Sequence, residues 1–207
     1  MEETKMPTTL THTAYTYDEL SESAKEAARD WYRQGALDYD WWDSVYYDAD
    51  QIAKILGIEI DRRSKYSPAI YFSGFYSQGD GACFEGSYEY AKGAHKRIRE
   101  YAPLDDELHS IADRLFELQR RNFFQLTANV THRGHYYHEY CTSIDVFRNG
   151  DDADSDTAED LADILRDFMR WIYRRLEDEH DFLLSDETIE EYFRATEWLF
   201  DEEGHPF

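Results

Sequence analysis

Cysteine, long apolar runs and basic residues are all scarce in this 207-residue chain. Its two cysteines, Cys83 and Cys141, cannot build a disulfide framework, which predicts free thiols in a reducing compartment. No apolar run approaches the roughly 18 residues that a membrane span needs, and the first residues lack the basic and apolar regions of a signal peptide. These absences predict a cytoplasmic protein that does not enter a membrane.

The shortage of basic residues leaves a large negative charge. There are 45 acidic and 22 basic residues, so the formal net charge is −23. Such a surface repels phosphate groups, and we therefore expect no direct binding to nucleic acid. A hydrophobic content of 42%, with 17 Tyr, 12 Phe and 5 Trp, is nevertheless enough to build a core. The composition predicts a folded protein whose partners carry a basic surface.

The charge is concentrated at the two ends of the chain, since residues 1–57 hold 12 acidic and 5 basic residues. Residues 151–207 hold 20 acidic and 5 basic residues, whereas residues 58–150 hold 13 and 12. The nearly neutral middle also contains seven of the ten glycines, both cysteines and five of the eight histidines. This partition separates a candidate site in the middle from an acidic scaffold.

Apolar periodicity, caps and turn residues predict an α+β fold with a mixed or antiparallel sheet of four to five short strands, flanked by N- and C-terminal helices. Helices are predicted at about 22–34, between Asp40 and Gly57, at 91–101, at 105–120, from 157 onward and after Ser185, and strands at 58–60, 69–75, 123–132 and 135–147. We expect a flexible tail at 1–17 and a single domain at 18–207. Within that domain, residues 149–157 are predicted to be an acidic linker before the C-terminal helical pair.

Three histidines around a predicted hairpin turn are candidate ligands of a metal ion. Arg133-Gly134 is typical of a two-residue type I′ connection, which would pair His132 with His135 on one face of the hairpin. Side-chain alternation would then place His138 on the other face. This geometry predicts that the three imidazoles do not converge on a metal ion.

Four stretches of the chain carry a resemblance to a known family. They are Leu20–Lys25, Asp38–Trp42, Tyr71–Gly86 and Leu184–Glu187. Together they resemble a family of small tailed-phage and prophage proteins, most of them hypothetical and some labelled antitoxin of a toxin-antitoxin stability system. The resemblance spans roughly residues 18–205 and implies a phage gene expressed inside a bacterial host. It supplies no catalytic residues.

The glycine-bearing segment from Ser77 to Cys83 is the first candidate site. It lacks the Lys-Ser/Thr of a phosphate-binding P-loop, and no helix with dinucleotide spacing follows it. Two interpretations stay open: a structural turn held by Asp80, or a ligand-binding loop. In the second case the site would comprise Ser77, Gln78, Asp80, Cys83, His135 and His138.

A nucleophilic arrangement is a weaker possibility. Cys83 could act with His138 or His135, oriented by Asp145. The Ala-Cys-Phe context is more typical of a buried thiol, and no helix N-terminus or basic neighbour would stabilise a thiolate. We therefore predict no catalytic residues, no metal and no cofactor, and a protein that is more readily a binder than an enzyme.

The acidic segment is the second candidate site. Seven carboxylates occur within 13 residues: Asp151, Asp152, Asp154, Asp156, Glu159, Asp160 and Asp163. On a helix, Glu159, Asp163 and Asp167 would form a line of like charges about 6 Å apart, comparable with the separation of neighbouring phosphates on a DNA strand. The ordinary alternative is a solubilising surface, partly neutralised by arginines of the same helix.

The leading hypothesis is a phage accessory protein that binds and inhibits a host protein. An anti-defence inhibitor of anti-CRISPR or anti-restriction type, with an acidic surface that mimics nucleic acid, would fit the charge. One alternative is an antitoxin-like neutraliser of a basic toxin. Another is a small enzyme or ligand-binding protein that uses the 77–83 loop. The sequence leaves the oligomeric state open.

Overall fold

A computed structural model describes residues 11–65 and 67–207 of the chain. Residues 1–10 of the predicted flexible tail at 1–17 lie outside the described residues. None of the helices in the described part is both long and apolar enough to cross a bilayer. The α+β prediction is confirmed.

The helices and strands follow one another along the chain without internal repetition. The helices are α1 (Glu22–Arg33), α2 (Asp43–Leu56), α3 (Ala94–Tyr101), α4 (Asp106–Arg121), α5 (Ser155–Leu183) and α6 (Asp186–Thr196). The strands are β1 (Tyr15–Thr16), β2 (Ile58–Ile60), β3 (Ile70–Ser73), β4 (Gly81–Phe84), β5 (Gly86–Glu89), β6 (Leu126–His132), β7 (Thr142–Arg148), β8 (Asp151–Asp152) and β9 (Leu199–Phe200).

The described chain divides into two compact units. The sheet unit is Trp42–Glu179, and the terminal unit consists of the described residues up to Trp41 together with His180–Phe207. The sheet unit contains the five-stranded antiparallel sheet β2-β5-β6-β7-β8 and the separate β3-β4 hairpin. In the terminal unit β1 pairs antiparallel with β9. The number of strands in the main sheet agrees with the sequence prediction.

Helix α4 is fixed to the main sheet by a buried glutamine. The Gln119 Nε2 donates to the Leu126 carbonyl (2.8 Å) and to the Tyr88 hydroxyl (3.2 Å), while its Oε1 accepts the Leu126 N–H (3.1 Å). These bonds pair two backbone groups at the start of β6 that water cannot reach. Helix α5 packs against the β3-β4 hairpin. The rings of Phe84 in β4 and Phe168 in α5 meet edge to face with centroids 6.1 Å apart.

The terminal unit has its own aromatic core. Helices α1 and α6 bury their apolar faces in it, with Ala24 and Ala28 from α1 and Ile189 and Phe193 from α6. Both helices have the serine N-caps that the sequence predicts: the Ser21 Oγ accepts the Ala24 N–H, and the Ser185 Oγ accepts the Thr188 N–H.

The predicted two-residue hairpin is wrong. β6 ends at His132 and β7 begins at Thr142, and these two residues are direct partners in the register. The connection is therefore nine residues long, and it is closed by the Arg133 N–H bonded to the Cys141 carbonyl at 2.7 Å. Gly134 has the positive φ expected of a turn glycine (+100°), but it lies inside a longer loop.

The acidic segment predicted as a linker is mostly ordered secondary structure. Asp151–Asp152 form β8 against the end of β7, and α5 begins at Ser155. The cap of α5 is Asp154, whose Oδ1 accepts the Thr157 N–H at 3.0 Å, so the helix begins two residues before the predicted residue 157. This bond lowers the pKa of the Asp154 carboxyl.

Candidate functional site

The glycine loop connects β3 and β4 and is held by one carboxylate. The Asp80 Oδ2 accepts the N–H groups of Tyr76 (3.0 Å) and Ser77 (2.6 Å). Gly74 has a φ of +46°, and a Cβ there would lie 2.3 Å from the same oxygen, so the turn needs a glycine at this position. Ser77 and Gln78 are exposed. The geometry gives Asp80 a structural task within the loop.

The loop lies directly against the β6–β7 connection. At Gly81 a Cβ would lie 2.6 Å from the Cα of His138, and at Gly79 it would lie 3.6 Å from the Tyr136 ring. The structure therefore brings together Asp80, Cys83 and His138 of the predicted ligand site. His135 lies exposed on the far part of the connection.

Cys83 is poorly suited to nucleophilic chemistry. Its side chain is fully buried, and burial raises the pKa of the thiol to about 12, with the nearby Cys141 and Glu85 adding to the effect. Asp145 is exposed on β7, next to the buried Val146. A thiol that stays protonated and unreachable behaves as a small apolar core residue.

A second cysteine, which the sequence did not single out, contacts His138. The Cys141 Sγ lies 3.2 Å from the His138 Nε2, while the His138 Nδ1 accepts the Tyr140 N–H at 3.2 Å. Because Nδ1 is an acceptor, the neutral ring carries its proton on Nε2 and donates it toward the sulfur. This tautomer cannot take a proton from the thiol, so the pair is not a general-base dyad. The three-residue spacing of His138 and Cys141 across a short 3-10 helix was the available sequence signal.

His132, another histidine of the cluster, belongs to an aromatic stack. His132 stacks on Tyr71 with centroids 5.7 Å apart, and Tyr71 also stacks on Tyr137 at 5.5 Å. The Tyr71 hydroxyl and the backbone N–H of His132 both donate to the Glu85 carboxylate. In the part of the chain that the structure describes, the three histidines form no group close enough to share a metal ion.

One group of possible metal ligands lies elsewhere, in the turn after β9. Ligand atoms of Asp201, Glu203 and His205 lie within 4.8 Å of one another. The Asp201 Oδ1 already accepts the N–H groups of Glu203 (3.0 Å) and His205 (2.8 Å), and these bonds lower the pKa of its carboxyl. The group is explained by the local turn that it stabilises.

All seven carboxylates of the acidic segment are exposed. We call the surface formed by Asp151, Asp152, Asp154, Asp156, Glu159, Asp160 and Asp163 the acidic face. Asp163 pairs with Arg166 at 3.0 Å, whereas Asp160 and Asp154 reach arginines only at 3.9 and 4.0 Å. The remaining four carboxylates form no ion pair or hydrogen bond through their side chains with other described residues.

The line of charges predicted along α5 is shorter than expected. Asp167 is half-buried and forms ion pairs with Arg114 and Arg170. Its charge is therefore neutralised inside the sheet unit, and the exposed acidity ends at Asp163. The acidic face is confined to β8, the cap residue Asp154 and the first nine residues of α5.

Comparison with known proteins places the chain in one family. Residues 41–186 match the family model described as a domain of unknown function, DUF8835. No curated protein and no solved structure matches the chain. The family description carries no activity, so the phage and antitoxin resemblance stays a prediction. Because the match spans 146 of the 207 residues, the protein belongs to the DUF8835 family.

Proposed function

We propose that this protein is a non-enzymatic inhibitor that docks its acidic face on a basic, nucleic-acid-binding surface of another protein. In the phage setting that the resemblance implies, the partner is a host protein that handles nucleic acid. The observation that supports the proposal best is the exposure of all seven carboxylates, four of them without a partner among the described residues.

The helix start accounts for only part of this acidity. A helix N-terminus stabilises carboxylates in its first turn, and Asp154 and Asp156 benefit from it. The effect fades beyond that turn, so it does not reach Glu159, Asp160 and Asp163. Glu159 and Asp160 lie four and three residues before Asp163, and at these spacings like charges on a helix repel one another. A basic partner would relieve the repulsion.

The pairing of acids elsewhere on the same helix is a useful contrast. Arg170 pairs with Glu139 and Asp167, and Arg174 pairs with Glu107, while Arg166 pairs with Asp163 at the end of the acidic face. The arginines of α5 therefore stabilise the fold around its middle, and the stretch before Arg166 contains none. This uneven distribution concentrates negative potential at one end of the helix, which favours electrostatic steering of a basic partner.

The proposal is tested with two quadruple variants of equal charge change. The first neutralises the unpaired members of the acidic face: Asp151→Asn, Asp152→Asn, Asp156→Asn and Glu159→Gln. The control neutralises four other exposed carboxylates that have no side-chain partner among the described residues: Glu26→Gln, Asp40→Asn, Glu100→Gln and Glu202→Gln.

Tagged wild-type protein and both variants are used to capture partners from bacterial lysate at low and high salt. We expect wild type and the control to retain the same nucleic-acid-handling protein at low salt, with the capture lost as salt rises. The acidic-face variant should retain about tenfold less of it. Equal retention by both variants would contradict the proposal, as would capture that is insensitive to salt.

A further inference from the structure

The terminal unit contains a cavity of about 770 Å³. Eleven residues line it, none of them charged, and five are aromatic: Trp31, Tyr32, Tyr39, Tyr192 and Trp198. Its volume is within the range of small-molecule pockets. Gln34, Thr188 and the tyrosine hydroxyls are polar groups of the lining, and the rest of it is aromatic or apolar.

The rings form a continuous wall. The centroids of Tyr32 and Tyr192 are 5.1 Å apart, those of Tyr192 and Trp198 are 6.2 Å apart, and those of Trp198 and Trp31 are 5.3 Å apart. Tyr39 lies near Tyr32, whose pKa is raised by burial and by the proximity of Tyr192 and Tyr39. Tyr39 is 57% exposed at the mouth. Five aromatic rings thus line one space.

The C-cap residue of α6 positions one of these rings. Glu197 adopts a left-handed backbone (φ +54°, ψ +39°) where α6 ends, directly before Trp198. A left-handed residue is a common end of a helix, although a side chain other than glycine is uncommon there. The turn directs Trp198 back toward Trp31 and Phe193.

The charge around the cavity favours a cation. The described residues of the terminal unit, 11–41 and 180–207, contain 16 acidic and 4 basic residues. The Asp38 carboxylate lies 3.6 Å from the Cβ position of Gly35, a lining residue, and its side chain has no partner among the described residues. Ring faces carry negative potential, which a nearby carboxylate strengthens for a positive ligand.

The nearest arginines are already neutralised. Arg29 pairs with Asp186 and Glu190, and Arg33 pairs with Asp30 and Asp186. Lys25 and Arg194 lie over the ring of Tyr17, which does not line the cavity. The cavity wall therefore has no resident cation in the described part of the chain.

We propose that this cavity is a binding site for a small organic cation with an alkylated ammonium group, held by cation–π contact with the aromatic wall and by the charge of Asp38. The proposal does not depend on the acidic face, because every lining residue belongs to the terminal unit. Ten of the eleven lining residues also fall outside the DUF8835 match, so the site is a feature of this chain beyond the family domain.

The test compares choline with its uncharged isostere 3,3-dimethylbutan-1-ol at constant ionic strength, using the full chain. Binding is followed by tryptophan fluorescence and by the indole N–H signals of Trp31 and Trp198. We expect saturable choline binding and at least about tenfold weaker binding of the isostere. N-acetyl-arginine amide is titrated in parallel. If it binds tenfold more tightly than choline, the occupant is a guanidinium group and the assignment to an alkylated ammonium is overturned.

Substitutions at two exposed residues test whether choline binds in this cavity, without changing the core. Asp38→Asn and Tyr39→Leu should each weaken choline binding about two- to fivefold. Glu202→Gln, a neutralisation of an exposed carboxylate in the same unit that does not line the cavity, should leave it unchanged. The proposal is overturned if no cation saturates the signals, if the isostere binds as well as choline, or if all three variants behave alike.

Discussion

Replacing the buried Gln119 by methionine should destabilise the sheet unit strongly. Gln119 is fully buried and bonds both the N–H and the carbonyl of Leu126, which is itself 1% exposed. Methionine has nearly the same shape and volume, so the substitution removes the hydrogen bonds without opening a large cavity. It leaves two buried backbone groups without a partner.

The magnitude follows from the number of groups that lose a partner. Each unsatisfied buried group costs about 1–3 kcal/mol, so the loss of two partners in Gln119→Met should lower the free energy of unfolding by about 2–6 kcal/mol. Tyr88→Phe removes only the hydroxyl that contacts Gln119 and should cost about 0.5–1.5 kcal/mol. Gln125→Met, at an exposed position six residues away, should change stability by less than about 0.5 kcal/mol.

Urea unfolding followed by circular dichroism measures these three differences from the transition midpoints. The expected order of destabilisation is Gln119→Met, then Tyr88→Phe, then Gln125→Met. If Gln119→Met were as stable as Gln125→Met, the argument that side-chain bonds attach α4 to the start of β6 would be refuted.

Three further predictions concern the glycine loop, the thiols and the start of α5. Gly81→Ala should destabilise the protein, because its Cβ would lie 2.6 Å from the His138 Cα; a thermal melt that matches wild type would contradict this. In the folded protein Cys141, which is half-buried, should react with a thiol reagent, whereas Cys83 should react only after unfolding; labelling at equal rates would show that burial does not protect Cys83. The pKa of Asp154 is lowered by its capping bond, so its stabilisation of α5 should be present above about pH 4 and lost as the pH falls through the folded-state value. Asp154→Asn should remove this pH dependence from acid-unfolding curves.

Local signals were sufficient for most helices. The caps Ser21 and Ser185 and the left-handed Gly57 that ends α2 act through their own backbone neighbours, so their sequence context specifies them. The same holds for the α+β class, since apolar periodicity is a property of each segment.

The predictions that the structure contradicts involve residues whose contact partners are distant in sequence. Arg133-Gly134 has the local pattern of a tight turn, but the contacts of Tyr137 with Tyr71 and of His138 with Gly81 determine a longer loop. The pairing of Cys141 with His138 depends on that loop, so it was missed with it.

In the acidic segment, too, the role of single carboxylates depends on contacts that the local sequence does not reveal. Asp154 was recognised as part of a charged run, but its role as the helix cap depends on where β8 ends. Asp167 repeats the four-residue spacing of the acidic face, yet Arg114 of α4 neutralises it from 53 positions away in the sequence. Spacing alone could not distinguish an exposed carboxylate from a paired one.

The most direct test of the central claim is a titration of the purified captured partner with this protein, in the presence and absence of duplex DNA. The account predicts that DNA competes with the protein, that affinity falls as salt rises, and that neutralising Asp151, Asp152, Asp156 and Glu159 weakens binding about tenfold relative to the matched control. If DNA and protein bind the partner together, or if the two variants bind equally well, the acidic face is only a solubilising surface.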